Sequence, residues 1–270
     1  MQTLGLCRFS YPAIGGFQVE FDSLEEKLAY LYAPERMEER FRYFEALTLP
    51  PLKAQTDPDF SFLVVVGDTL PMPYQDRLNA LLQDLPQAKV ISRPPAPHRA
   101  IMEEIINENR AFDGEPCLQF RMDDDDAVAI DFVARLREAA RDARAILRKH
   151  RRMAIDFNKG FIVRPDAKGL HAAATTTPYA TAALGLAFGP KATRTVMNFA
   201  HVKVAQRMPT LTFSDSDMLL RGHNDHNDSR QKASAKPVPL ALMTPEQEAH
   251  IKDRFAIDAD HVRSVFSRPA

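Results

Sequence analysis

The sequence predicts an α/β fold with a mostly parallel central sheet flanked by helices. Short apolar runs alternate along the first half of the chain with longer segments whose apolar residues recur every three or four positions. This alternation is typical of βαβ units, whose crossover helices cover both faces of a parallel sheet. The run Phe-Leu-Val-Val-Val at 62–66 is apolar throughout, which indicates a central strand buried on both faces.

The elements before the four aspartates at 123–126 follow this alternation in order. Pro50 and Pro51 should end the first long helix, because proline lacks the amide hydrogen that continues a helix. The predicted elements are strand 3–9, helix 35–49, strand 62–66, helix 74–85, strand 88–91, helix 99–110 and strand 117–122.

The elements after residue 126 are less regular. Asp131 is expected to N-cap a helix that extends to Leu147. We expect one domain over 1–270, with halves 1–126 and 127–230 and a C-terminal tail 231–270. The remaining predictions are a hairpin over 154–164 that turns at Asn158, loops over 165–178 and 225–239, and one short helix over 245–255.

Composition excludes several classes of partner. The net charge is -1, so the chain as a whole has no attraction for nucleic acid or for an anionic membrane. The longest small-apolar run, 180–188, is far shorter than the ~20 residues of a membrane-spanning helix. Cys7 and Cys117 lie in apolar runs and are expected to be buried free thiols. With no targeting segment visible, we expect a cytoplasmic protein.

Four consecutive aspartates follow the apolar strand 117–122 directly. In an extended segment Asp123 and Asp125 would share one face, about 7 Å apart, and Asp124 and Asp126 the other. The carboxyl end of a strand is where open α/β sheets bind ligands. Carboxylates so placed can hold Mg²⁺ or Mn²⁺, which would offset their repulsion. The alternative is a solvated acidic loop; the strand before it and the amphipathic helix after it favour the metal site.

A divalent cation held by carboxylates can clamp a diphosphate. The sequence contains neither Gly-x-x-x-x-Gly-Lys-Ser/Thr nor Gly-x-Gly-x-x-Gly, which argues against a P-loop nucleotidase and a dinucleotide enzyme.

Three stretches, together with Arg-Phe-Ser at 8–10, carry a family resemblance over most of the chain. The stretches are RFRYFE at 40–45 continuing to QTDPDF at 55–60, RMDDDDA at 121–127, and RGHNDHNDS at 221–229. They resemble the bacterial family described as "putative rhamnosyltransferases". More broadly, the order of a strand, an Asp-x-Asp motif and a helix resembles the GT-A fold of glycosyltransferases. The resemblance implies an enzyme of polysaccharide biosynthesis that moves a sugar, rhamnose by the family's description, from a nucleotide-diphosphate donor to a glycan or lipid-linked acceptor.

The resemblance also suggests roles for particular residues. The half 1–126 would bind the nucleotide sugar, with metal ligands at Asp123, Asp125 and Asp126. Asp68 occupies the place where relatives contact the nucleobase, although the second aspartate often found there is missing. The expected donor-binding residues are Arg8, Asp68, Arg121, Asp123 and Asp124. Arg8 can pair with phosphate or form a surface ion pair, and Arg121 can bind donor or balance the aspartates.

The half 127–230 would bind the acceptor, and its polar segment 221–229 is expected to fold back over the aspartates. His223 or His226 would then complete the metal site, because Mn²⁺ accepts imidazole beside carboxylates. An inverting transfer needs a carboxylate base near the acceptor. Asp225 and Asp228 are the expected catalytic residues, with Asp215 and Asp217 as alternatives.

Two other functions stay open at this point. A nucleotidyltransferase can also use paired carboxylates on a sheet. A non-catalytic metal-binding interaction protein would keep the aspartates for structure alone, although their spacing lacks the Gly and Glu of an EF-hand loop.

Overall fold

A seven-stranded mixed sheet forms the centre of the molecule, in the order β10-β6-β9-β4-β1-β2-β3. The structure is a computed structural model that describes residues 1–15, 21–224 and 238–269. The strands are β1 (Gln2–Arg8), β2 (Ser61–Gly67), β3 (Ala88–Arg93), β4 (Cys117–Met122), β5 (Ala127–Val128), β6 (Arg152–Phe157), β7 (Lys159–Asp166), β8 (Gly169–Thr176), β9 (Leu184–Phe188), β10 (Thr210–Phe213), β11 (Leu219–Gly222) and β12 (Ala241–Leu242).

Helices occupy much of the rest of the described chain. They are α1 (Leu24–Leu31), α2 (Pro34–Tyr43), α3 (Leu49–Lys53), α4 (Met72–Leu82), α5 (His98–Asn109), α6 (Phe132–Asp142), α7 (Arg144–His150), α8 (Pro245–Phe255) and α9 (Ala259–Phe266). A π-helical turn, Phe44–Thr48, joins α2 to α3, and 3₁₀ turns occupy Val196–Asn198 and His201–Gln206. In the part of the chain that the structure describes, no helix is both long and apolar enough to span a membrane.

The predicted α/β fold is confirmed. Strands β1, β2, β3 and β4 are parallel, so their carboxyl ends lie at one edge of the sheet. Strand β2 is buried as its apolar run predicts, and it lies between β1 and the edge strand β3. Cys7 of β1 pairs with Met122 of β4, which brings the residue after each, Arg8 and Asp123, to the same edge. Both predicted free cysteines are buried.

A second sheet shows that two sequence predictions are wrong. It has five strands in the order β12-β8-β7-β11-β5. The predicted hairpin over 154–164 does not form, because β6 pairs with β9 and β10 in the central sheet whereas β7 pairs with β8 and β11 in the second. The predicted loop 165–178 contains β8, whose polar threonines lie on the partly exposed half of the strand. The predicted loop 225–239 lies mostly outside the described residues.

The long helix predicted over 35–49 does not end at Pro50-Pro51. The chain stays helical across them, because α3 begins at Leu49 and both prolines stand in its first turn, where no intrahelical amide bond is required. The wider π turn comes immediately before. In an unbroken α-helix, Thr48 would lie about 80° from Arg40 around the helix axis. The π turn changes this angle between the two side chains.

Two predictions near the C-terminal half also need correction. Asp131 holds the N-cap position of α6, but its side chain accepts a bond from Arg254 at 2.8 Å and caps no helix amide. The predicted single helix divides at Ala143 into α6 and α7. Helix α8 begins and ends as predicted, and α9, which packs on β7 and β8, was not predicted. The division at residue 126 stays a prediction; strands β6, β9 and β10 from beyond it complete the central sheet.

A substitution at Gly160 tests the pairing of β7 with β11. A Cβ at this position would lie 1.8 Å from the backbone oxygen of Leu219, so Gly160→Ala must push the two strands apart. We expect urea denaturation to show a loss of about 3 kcal/mol or more. Gly189→Ala is the matched control, since its Cβ would stand 3.3 Å from the nearest atom and should cost less than about 1 kcal/mol. Equal stability of the two variants would contradict the proposed strand contact.

Candidate metal and donor site

The aspartate run forms a tight turn at the end of β4. The amide of Asp126 donates to the carbonyl of Asp123 at 3.2 Å, and the amide of Asp123 donates to the carboxylate of Asp126 at 3.4 Å. The predicted alternation of an extended segment is therefore wrong. The turn brings Asp126 to the side of Asp123 and Asp125, where an extended chain would have directed it to the opposite face.

Three of the four carboxylates converge. One oxygen from each of Asp123, Asp125 and Asp126 lies within 4.8 Å of the others. Asp125 and Asp126 are buried, and Asp123 is partly exposed. Burial, followed by the charges of Asp126, Asp123 and Asp124, raises the pKa of Asp125 well above its usual range. Burial and the charge of Asp123 raise the pKa of Asp126 to about 8, against the opposing charge of Arg221.

The fourth carboxylate has a different partner. Asp124 was expected to bind the donor, but it forms a buried ion pair with Arg40 of α2, at 2.5 and 2.6 Å to its two oxygens. Both side chains are less than a tenth exposed. Asp124 thus anchors the turn to α2, while its three neighbours stay grouped.

The π turn supplies a second anchor. The hydroxyl of Thr48 lies 2.9 Å from the carbonyl of Asp124 and 2.8 Å from that of Asp126, close enough to donate to either. Thr48 and Arg40 contact the same turn from one continuous helical stretch. Sequence reasoning assigned neither a role, although both lie in the 40–60 segment that carries the family resemblance.

The described part of the polar segment 221–229 contacts the aspartates from the other side. The amide of Gly222 donates to Asp126 at 3.2 Å, and the side-chain amide of Asn224 donates to Asp125 at 2.8 Å. A Cβ at Gly222 would lie 2.3 Å from the backbone oxygen of Asp125, so the close approach requires glycine.

The structure does not bring His223 into the acidic group. Its amide donates to the carbonyl of Val163, and its own carbonyl accepts from the hydroxyl of Tyr43 at 2.9 Å. Within the described ranges, the group of clustered ligand atoms comprises the three aspartates without this imidazole. Asn224, which the sequence did not single out, makes the side-chain contact instead. His226, Asp225 and Asp228 lie outside the described residues.

A cavity of about 160 Å³ opens beside Asp123 and is rich in positive charge. Arg8 ends β1 and Arg121 belongs to β4, and both line this cavity; their donor-binding role stays a prediction. Burial lowers the pKa of Arg121, and the charges of Arg99 and Arg8 lower it further while Asp123 opposes them. Like charges held this close favour an anionic ligand.

Two histidines that sequence reasoning did not identify also line the cavity. Burial and the charges of Arg8 and Arg121 lower the pKa of His98 to about 4, so it is neutral near pH 7. The ring of His201 donates from Nδ1 to the carbonyl of Tyr179 at 2.7 Å, since a carbonyl can only accept. Burial lowers the pKa of His201, which leaves its Nε2 as an acceptor.

The other predicted residues lie away from this cavity. Asp68 is exposed after the end of β2, with its amide bonded to the carbonyl of Arg93, and does not line the cavity. Asp215 forms an ion pair with Arg135 at 2.7 Å. Asp217 lies 2.9 Å from the ring of His250.

We expect Asp124→Asn to destabilise the folded protein and Asp125→Asn not to destabilise it. Asp124→Asn removes the buried carboxylate that lies 2.5 Å from the guanidinium of Arg40, and we expect a loss of about 3–5 kcal/mol of unfolding free energy. The folded-state pKa of Asp125 lies above the unfolded value of 3.8, so its ionisation costs stability as pH rises above that value. Asp125→Asn removes this cost.

The measurement is urea denaturation at pH 7 in excess chelator. The Asp125→Asn variant should match the wild-type chain or exceed its stability. Equal destabilisation by the two substitutions would show that Asp124 has no special anchoring role.

Comparisons with known proteins identify the family of the chain. A family model described as "Putative rhamnosyl transferase" matches residues 2–236. No curated protein matches the chain in sequence. Among solved structures, TarS 1-349 from S. aureus in complex with UDP-GlcNAc is 11% identical, with 99% of this chain and 71% of that chain covered and a TM-score of 0.43.

Two further solved structures show distant likeness. A second structure of S. aureus TarS 1-349 is 11% identical with a TM-score of 0.41; the alignment covers 82% of this chain, which spans only 60% of that one. A UDP-glucose pyrophosphorylase complexed with UDP-glucose is 11% identical over 70% of this chain and 77% of that chain, with a TM-score of 0.29. The match of the family model over residues 2–236 shows that the chain belongs to the rhamnosyl transferase family it describes.

Proposed function

We propose that this protein is a divalent-cation-dependent glycosyltransferase. It would transfer a sugar, rhamnose by the family's description, from a nucleotide-diphosphate donor to a glycan or lipid-linked acceptor. One observation carries the proposal: three clustered carboxylates and two arginines meet at the carboxyl edge of the central sheet, in a chain of this family. The GT-A type of fold, a role in polysaccharide biosynthesis and a cytoplasmic location belong to the same proposal.

Asp123, Asp125 and Asp126 fit a hard divalent cation. They offer oxygen atoms only, which suits Mg²⁺ and Mn²⁺. Two of them are buried beside like charges, an arrangement that a bound cation would stabilise. A cation held there would neutralise the charge that develops on the departing nucleoside diphosphate.

Arg8 and Arg121 would bind the phosphate oxygens of the donor. Guanidinium groups match phosphate geometry and stay protonated even when burial lowers their pKa. The neutral ring of His98 can form a hydrogen bond without adding positive charge, and the ring of His201 can accept one at Nε2. Asp68 would contact the nucleobase at the outer end of the same edge.

The acceptor side of the proposal rests on the segment that follows Asn224. Asp215 and Asp217 have partners of their own in Arg135 and His250, which supports Asp225 or Asp228 as the base. The contacts of Gly222 and Asn224 with the aspartates support this choice, because they hold the residue that precedes this segment beside the three carboxylates. A metal-ligating role for His226 stays a prediction, as does one for His223 after closure of the segment.

We expect binding of a nucleoside diphosphate to require Mn²⁺ or Mg²⁺ and to be lost in excess EDTA. Asp125→Asn should weaken Mn²⁺ binding by on the order of tenfold or more, because one anionic ligand is lost. Isothermal calorimetry with Mn²⁺, alone and with UDP or dTDP, measures both effects. Asp142→Asn, an exposed position with the same charge change, is the control and should bind as the wild-type chain does. Undiminished binding in EDTA would refute the metal role.

Arg8→Gln and Arg121→Gln should each weaken nucleoside diphosphate binding by on the order of tenfold, the loss of one charge-assisted contact. Affinity for Mn²⁺ alone should not fall, since removing a nearby positive charge does not weaken cation binding. Arg141→Gln, exposed on α6, is the matched control. If both site variants bind UDP and dTDP normally, the cavity is not the donor site.

Product analysis separates the remaining alternatives. A glycosyltransferase releases nucleoside diphosphate from the sugar donor, whereas a nucleotidyltransferase forms or cleaves the nucleotide sugar with pyrophosphate. An interaction protein would bind metal and release neither product.

A further inference from the structure

A second cavity, larger than the one beside Asp123, lies at the opposite end of the central sheet from the aspartate turn. It has a volume of about 730 Å³ and is bordered by Pro116, by α7 and by the loop 189–194. Strand β4 separates the two sites, because Pro116 precedes it and Asp123 follows it. Seven residues of extended chain span roughly 23 Å. The cavity is therefore distinct from the proposed donor site.

Six cationic side chains line this cavity. Arg144 and Arg148 lie one turn apart on α7, on the face where Leu147 is buried, and Arg151 directly follows the end of the helix. The loop and the start of β6 contribute the others, which are Arg152, Lys191 and Arg194.

Most of these charges have no acidic partner. Arg144 is 3.9 Å from Glu115, and Arg152 stacks over the ring of Phe199 at 5.4 Å. No aspartate or glutamate lines the cavity among the described residues. Within those ranges no carboxylate forms an ion pair with Arg148, Arg151, Lys191 or Arg194 either. A chain of net charge -1 thus concentrates positive charge in one concave place, which favours a multiply charged anion.

Apart from Thr193, the remaining lining residues are apolar and mostly aliphatic. They include Pro116, Leu147, Pro190 and Ala192. Phe188 is the one aromatic residue among the described lining residues, and it is fully buried, so no exposed ring is available to stack on a nucleobase. The volume falls within the range of small-molecule sites, and a flat membrane surface would not fill a concavity of this kind.

We propose that this cavity is a second binding site, for a diphosphate joined to an aliphatic chain. The arginines of α7 and the cations of the loop 189–194 contact the phosphate oxygens, for which guanidinium geometry is suited. The aliphatic part lies against the proline and leucine walls. This site does not depend on the metal or on the donor chemistry proposed above.

The test is calorimetric titration of the full chain with geranyl diphosphate in excess EDTA, which removes any metal-mediated diphosphate binding. The double variant Arg148→Ala/Arg194→Ala should lose on the order of tenfold or more in affinity. The matched control, Arg141→Ala/Lys149→Ala, removes the same charge from exposed positions that do not line the cavity, and should change affinity less than about twofold. All four side chains are exposed, so thermal unfolding should be unchanged in both variants.

Three further measurements define the site. Arg121→Gln should bind geranyl diphosphate normally, which separates this cavity from the donor site. Inorganic pyrophosphate should bind more weakly than geranyl diphosphate, because it lacks the aliphatic part. Vesicles containing phosphatidylglycerol should bind equally to the cavity variant and its control.

The proposal fails if geranyl diphosphate does not bind, if both double variants weaken binding equally, or if Arg121→Gln abolishes it. Equal affinities for inorganic pyrophosphate and geranyl diphosphate would show that the cavity does not bind the aliphatic chain. Vesicle binding that only the cavity variant loses would identify a membrane-facing surface instead.

Discussion

The buried ion pair between Arg40 and Asp124 is the interaction on which the geometry of the metal site depends. Four aspartates in succession repel one another, and most of that charge is buried. Pairing one of them with a guanidinium fixes the turn to α2 and leaves the other three free to converge. A buried ion pair of this kind contributes little net stability. Its consequence here is the conformation of the turn.

The helical stretch from Pro34 to Lys53 explains how this pairing coexists with the second anchor. Arg40 and Thr48 are eight residues apart and would lie about 80° apart around the axis of an uninterrupted α-helix. The π turn at Phe44–Thr48 brings both onto the aspartate turn, one through charge and one through a hydroxyl. π-Helical turns are frequent at functional sites, and here the turn aligns two contacts with one loop.

Charged side chains cluster at both ends of the central sheet. The near-neutral total conceals an acidic cluster beside the cationic cavity of Arg8 and Arg121, and a separate basic cavity next to Pro116. The first arrangement brings anionic and cationic groups together, which suits a cation and a phosphate bound side by side. The second contains cations alone, which is why its ligand must supply the negative charge.

The sequence by itself determined the parallel half of the sheet and the place of the aspartates at its carboxyl edge. Apolar runs and their alternation with helical periodicity are local properties, and β1 to β4 formed where those properties predicted them. The family resemblance, too, was carried by contiguous residues. Local patterns failed where partners are distant: β6 and β7 are consecutive yet belong to different sheets, and Asp131 bonds to Arg254 rather than to its own helix.

Only the tertiary structure decided how the aspartates face one another and what surrounds them. The turn conformation depends on Arg40 and Thr48, about 80 residues earlier, and on Gly222 and Asn224, about 100 residues later. The cations at 144–152 are close together in the sequence, but a solvated helix face and a lined cavity have the same composition. Hydrogen bonds and ion pairs between residues far apart in the chain leave no periodic signal, because their partners are brought together only when the sheets and helices pack.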